Sequence, residues 1–76
     1  MDVQYAVILE PDDGAFSVIV PALPEVHTFG ETQEEALRNA REAIELALIG
    51  RRDLGEEIPP SDEPRVERIT VSIPAA

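Results

Sequence analysis

The chain has no cysteine, no lysine and a single histidine, His27. Without cysteine there are no disulfides and no thiolate metal centres. One histidine excludes a zinc site built from several imidazoles within one chain. Basic residues are missing altogether from the first 37 positions, which hold eight acids: Asp2, Glu10, Asp12, Asp13, Glu25, Glu31, Glu34 and Glu35. All six bases (Arg38, Arg41, Arg51, Arg52, Arg65 and Arg68) lie in residues 38–76. Sixteen acids against six bases give a net charge of −10 and a pI near 4.2. Phosphate binding needs a basic face, so nucleic acid is a poor direct partner. A one-sided acidic field suits a basic protein partner reached by electrostatic steering, or serves solubility alone. No apolar run approaches the roughly 18–20 residues that span a bilayer. The opening Met-Asp-Val-Gln-Tyr lacks the basic and apolar regions of a secretory leader. A soluble, cytoplasmic protein without membrane contact is expected.

What is present fits one small domain of 76 residues. A chain this short buries only roughly 60–65% of its unfolded surface. A homo-oligomer, dimer or tetramer, is therefore expected.

The pattern reads strand, strand, helix, strand. Val3, Tyr5, Val7 and Leu9 alternate with Gln4, Ala6 and Ile8, the period of a strand over Val3–Leu9. Pro11-Asp12-Asp13-Gly14 breaks it, with Asp-Gly suited to a tight turn at positive φ. Phe16, Val18 and Val20 share one face of a second strand, completing a hairpin signature. Pro21 and Pro24 exclude a central strand between them. Val26–Phe29 predicts a short third strand before Gly30. Thr32-Gln33-Glu34-Glu35 is a capping box, Thr32 at the N-cap and Glu35 three residues on. Ala36, Leu37, Ala40, Ala43, Ile44, Ala47 and Leu48 then form one helical apolar stripe. Its alanines let the helix lie close to a sheet. Glu34–Arg38, Arg38–Glu42 and Arg41–Glu45 are spaced as i,i+4 pairs, and Gly50 is placed to stop the helix. Residues 50–64 are rich in glycine, proline and acids, long enough to wander. Val66–Ile73, with Ile69, Val71 and Ile73 on one side, predicts the last strand. The expected fold class is α+β: a small antiparallel or mixed sheet of three to four strands with one helix on one face, in the order β-β-(β)-α-β. Ile8 and Ile19 point to the opposite sheet face and are the candidate contact between copies.

The search for chemistry is negative. His27 has no assured carboxylate to orient it as a general base. Glu10, Asp12 and Asp13 lack the oxygen spacing of a calcium loop. The four glycines are isolated, so no phosphate loop is formed. Ser17, Thr28 and Thr32 have no base to activate them. No cofactor, metal or catalytic residue is expected.

Three runs carry a resemblance: Asp13-Gly14-Ala15-Phe16-Ser17-Val18-Ile19-Val20-Pro21-Ala22-Leu23-Pro24, then Thr28-Phe29-Gly30-Glu31-Thr32-Gln33-Glu34-Glu35-Ala36-Leu37, then Asn39-Ala40-Arg41-Glu42-Ala43-Ile44. With Gly55-Glu56-Glu57-Ile58-Pro59-Pro60 behind them, they resemble the HicB antitoxin family over roughly residues 5–60. The chain departs from the family pattern at Glu25-Val26, where Gly-Cys is common. The helix-turn-helix or ribbon-helix-helix module that many members carry after this domain is not expected beyond Ala76. The resemblance thus implies one toxin-neutralising domain over residues 1–76, without its own DNA-binding module, in a partial ribonuclease H-like fold. It further implies a small basic ribonuclease toxin of HicA type as partner. The acids of the hairpin and the helix start, Glu10, Asp12, Asp13, Glu25, Glu31 and Glu34, are the candidate contacts for it. The alternative is a stand-alone oligomeric interaction or regulatory domain with no toxin. A third reading, by fold analogy alone, is a degenerate metal-dependent nuclease using Glu10.

Overall fold

The structure, a computed structural model, describes residues 2–75. Its elements are β1 (Ile8–Asp12), β2 (Ala15–Ile19), β3 (His27–Gly30) and α1 (Gln33–Asp53). The sheet is antiparallel in the order β1-β2-β3, and α1 packs on one face of it. This is the expected α+β layer.

Asp13-Gly14 forms the hairpin turn, with φ of 52° and 85° at its two residues. Both angles are positive, which matches the right-handed twist of the flanking strands and favours Asp-Gly. Because the turn needs only these two residues, Pro11 and Asp12 stay in the ladder, opposite Phe16 and Ala15. The first strand is therefore displaced from its expected place: pairing begins at Ile8, not Val3. Residues 3–7 are extended but outside the ladder. β2 breaks at Pro21, which has no N–H to donate, so β2 does not continue alongside them. Tyr5, Val7 and Leu9 nonetheless face the core, as their alternation predicts.

The core is Val18, Val20, Leu23, Val26, Ala36 and Ala40. Leu23 is fully buried although it lies between two prolines. Its N–H donates to the Val20 carbonyl at 3.0 Å and its carbonyl accepts from Val26 N–H at 3.0 Å. Two successive turns thus drive this side chain inward as a plug. α1 approaches β3 so closely that a Cβ added at Gly30 would lie 2.6 Å from Ala36 Cα and 2.8 Å from the Glu35 carbonyl carbon. Glycine is required there by contact.

Thr32 caps α1, its Oγ1 accepting from Glu35 N–H at 3.1 Å. The return bond runs from Glu31 N–H to Glu35 Oε1 at 3.4 Å, one residue earlier than in an ideal capping box. The far end corrects the expected stop at Gly50. The helix continues to Asp53, with Leu54 as C-cap and Gly55 at φ 71°. Glu56 N–H reaches the Arg51 carbonyl at 2.8 Å and Gly55 N–H the Arg52 carbonyl at 3.1 Å, a Schellman closure. An interior glycine costs a helix only about 1 kcal/mol, so Gly50 does not end it. The expected i,i+4 pairs do not close within 4 Å among the described residues; the ion pairs there are Arg51–Glu25, Arg52–Asp53 and Arg65–Glu67.

The segment after the helix does not wander at first. Tyr5 Oη donates to the Pro59 carbonyl at 2.6 Å, Gln4 N–H to Ser61 Oγ at 2.8 Å, and Ala6 N–H to Asp62 Oδ1 at 2.7 Å. Beyond Asp62 the expected last strand, Val66–Ile73, forms no ladder within the chain, and its apolar residues are exposed.

Two substitutions test this packing. Gly30→Ala should destabilise the fold by roughly 1–3 kcal/mol, because the added methyl meets helix backbone that cannot yield. Leu23→Ala should cost about 2–5 kcal/mol by emptying the plug. Urea denaturation of each variant measures both losses.

Candidate functional site

The ladder sorts the strand residues onto two faces. Leu9, Val18 and Thr28 are cross-strand neighbours, as are Pro11, Phe16 and Gly30; these rows lie beneath α1. The intervening rows are Ile8–Ile19–His27 and Glu10–Ser17–Phe29, with Asp12 opposite Ala15. They form the outer face, which α1 does not cover. Ile8 and Ile19 stand side by side there, as expected, and both are solvent-accessible. Ser17, Ile19, His27 and Phe29 border a shallow depression of about 540 Å³. Phe29 is 62% exposed, the largest apolar side chain on this face.

Four predicted acids surround one end of the face. Glu10 and Asp12 project from β1, Asp13 occupies the hairpin turn, and Glu31 follows the end of β3. Because Phe16 pairs with Gly30, the hairpin turn and the start of α1 lie at the same end of the sheet. Glu34 joins them from the first helical turn and is exposed, as are the other four. Exposed apolar side chains and exposed carboxylates thus share this side of the sheet.

Glu25 sits elsewhere. It precedes β3 at the opposite end of the sheet, where Arg51 grips it with two hydrogen bonds: Nε to Oε2 at 2.8 Å and Nη2 to Oε1 at 3.0 Å. Arg51 also donates from Nη1 to the Glu57 carbonyl at 3.2 Å. Chiefly through the Arg51 hydrogen bonds, and with help from its own backbone N–H, the Glu25 carboxyl is lowered from 4.5 to about 2. The same pairing raises the Arg51 guanidinium. Glu25 therefore ties the loop before β3 to the end of α1. His27 and Phe29, by contrast, belong to the outer face and were not among the candidate contacts. Their signal was in the sequence: Val26, Thr28 and Gly30 alternate inward, leaving His27 and Phe29 outward.

Among the described residues no three His, Asp or Glu side chains are grouped to hold a metal ion. Glu10 has Ser17 as its cross-strand neighbour, not another acid. No described helix is long and apolar enough to cross a membrane.

The family model for the HicB-like antitoxin of bacterial toxin–antitoxin systems matches residues 5–72. This chain belongs to the HicB-like antitoxin family. A UPF0150 protein of Thermoplasma acidophilum is 42% identical over 69 residues, covering 90% of this chain and 96% of that protein. A UPF0150 protein of Thermotoga maritima is 39% identical over 49 residues, 64% of this chain and 61% of its own. The crystal structure of the N-terminal domain of Burkholderia pseudomallei antitoxin HicB superposes with a TM-score of 0.70 at 34% identity, over 79% of this chain and 72% of that one. That of Burkholderia pseudomallei antitoxin HicB gives 0.74 at 28% identity, over 96% and 75%.

The residues that carry the HicB resemblance have mechanical roles here. Leu23 plugs the core, Gly30 admits Ala36, and Thr32 and Glu35 cap the helix. Asn39 Nδ2 donates to the Phe29 carbonyl at 2.8 Å, fastening α1 to β3. At the Glu25-Val26 departure, Val26 is core and Glu25 is the Arg51 partner. The motif set marks the fold, while the outer face lies between its conspicuous letters.

The Glu25 pair sets a pH dependence. The folded-state value lies below the unfolded one, so the stabilisation is complete above about pH 4.5 and is lost as pH falls through about 2. Glu25→Gln should flatten the fall of Tm between pH 4.5 and 2 and lower Tm modestly at pH 7, as read by circular-dichroism melts across that range.

Proposed function

We propose that this HicB-like chain is an antitoxin module that binds a small basic ribonuclease of HicA type in the cytoplasm and neutralises it by masking its active surface. The observation that carries this reading is the outer sheet face, where Ile8, Ile19 and Phe29 are exposed beside Glu10, Asp12, Asp13, Glu31 and Glu34. Apolar side chains at the centre supply the desolvated contact, and Phe29 is the anchor by size and exposure. The carboxylates at the edge steer a basic partner toward it. Masking requires occlusion only, so this chain contributes no catalytic group. Family membership supports a toxin partner in general; the charge pattern supports a basic one.

A second reading draws on the side-by-side exposure of Ile8 and Ile19. It makes the same face a contact between copies in a stand-alone oligomeric module. The two readings differ in their dependence on charge, since acidic edges repel a second identical acidic edge.

The first test is whether a short basic reading frame adjoins this gene and its product co-purifies with the chain; absence of the frame, or failure to retain its product, defeats the antitoxin reading. Replacing Glu10, Asp12, Glu31 and Glu34 by lysine should slow association with that protein by at least about tenfold at low salt and flatten its dependence on ionic strength. Phe29→Ala should act mainly on dissociation, speeding it by about 10–100-fold. Stopped-flow measurements over a salt series separate the effects; an unchanged rate and slope in the lysine variant would falsify the role of the acids.

A further inference from the structure

Residues 63–75 form an arm with no regular element and no described hydrogen bond to the body of the protein. The chain measures 54 × 26 × 20 Å, with a radius of gyration of 15.5 Å. A compact domain of this length has about 11 Å. Yet the arm has the pattern of a strand. Val66, Ile69, Val71 and Ile73 are 83, 84, 76 and 92% exposed, with Arg68, Thr70 and Ser72 interleaved. A chain so short that leaves three alternating β-branched residues in water forgoes a large share of its available burial.

The body offers a matching vacancy. Among the described residues β1 is an edge strand, paired with β2 alone. Its extension over residues 3–7 lies along a groove of about 550 Å³, bordered by Val3, Tyr5, Val7, Leu37, Ile44 and Leu48. Leu37 belongs to the apolar stripe of α1, yet it remains 43% exposed at this groove. The chain's own arm is directed away. The bonds at Gln4 and Ala6 hold Ser61 and Asp62, and Pro64 follows two residues later. The charges of the arm cancel, Glu63 and Glu67 against Arg65 and Arg68, so no net charge opposes its pairing with the acidic body of a second copy.

We infer that residues 66–73 of one copy add as a strand to the free β1 edge of a second copy, placing Ile69, Val71 and Ile73 over its Tyr5–Leu37–Ile44 groove, and that the exchange is reciprocal. Each copy then receives the fourth strand that its sequence encodes but its own sheet lacks. Reciprocal exchange closes with two-fold symmetry and leaves no open arm to propagate. The outer face stays free in such a dimer, so this inference does not depend on the toxin reading.

Sedimentation equilibrium of the full chain at about 100 μM, a concentration where a micromolar dimer is formed, should give twice the 8.3 kDa chain mass. The double substitution Ile69→Asp/Val71→Asp should weaken self-association by at least about 100-fold, because two charges would enter an apolar groove. Its melt should stay cooperative, since neither residue touches the core. Amides 66–73 should be protected from hydrogen exchange in the native chain and unprotected in the variant. A monomeric native chain, unprotected arm amides, or a variant that remains dimeric would each overturn the exchange. So would loss of the dimer in Ile8→Asp/Ile19→Asp with retention in the arm variant, which would place the contact on the outer face.

Discussion

The close approach of α1 to β3 at Gly30 and Ala36 is the constraint on which the rest of the structure depends. There is no room for a side chain on Gly30, and Ala36 and Ala40 present only methyl groups to the sheet. This short distance lets a six-residue core of small and medium side chains exclude water. A wider separation would need bulky aromatics, and the chain has one tyrosine and two phenylalanines. The Thr32 cap and the Asn39 bond to Phe29 hold α1 at this approach from its first two turns. Arg51 and Glu25 secure its other end.

This economy divides the sequence into two kinds of residue. Those recognisable as HicB-like are concentrated where backbone and helix meet: Leu23, Gly30, Thr32, Glu35, Ala36, Asn39 and Ala40. Their identities follow from turn geometry, capping and close packing. The outer sheet face is under no such restriction. Its exposed side chains can vary while the fold remains, because no helix packs against them.

The acidic first half has a spatial counterpart. Asp12, Asp13, Glu31 and Glu34 come from separate stretches, and pairing of Phe16 with Gly30 brings those stretches to one end of the sheet. Glu25 shares their charge but not their place. A bidentate guanidinium holds it, so it contributes to the attachment of α1 more than to the exposed field.

Much of the fold was legible from local rules. Asp13-Gly14 specified the hairpin, Thr32 and Glu35 the helix start, and the alternation of Val18 with Ile19 the two sheet faces. These features depend on residues within four positions of one another, so the sequence by itself determined them. The first strand slid toward the turn because Pro21 ends β2, and α1 ran past Gly50 because Arg51 reaches Glu25 and Gly55 closes the last turn better. Both outcomes depend on distant partners. The same holds for the site: five of six predicted acids gather at one end, Glu25 is drawn away, and Phe29 emerges as the exposed apolar centre. The arm shows the limit most clearly. Its alternation is that of a strand, but a strand forms only against a partner edge, and the tertiary structure leaves residues 66–73 paired with none in their own sheet.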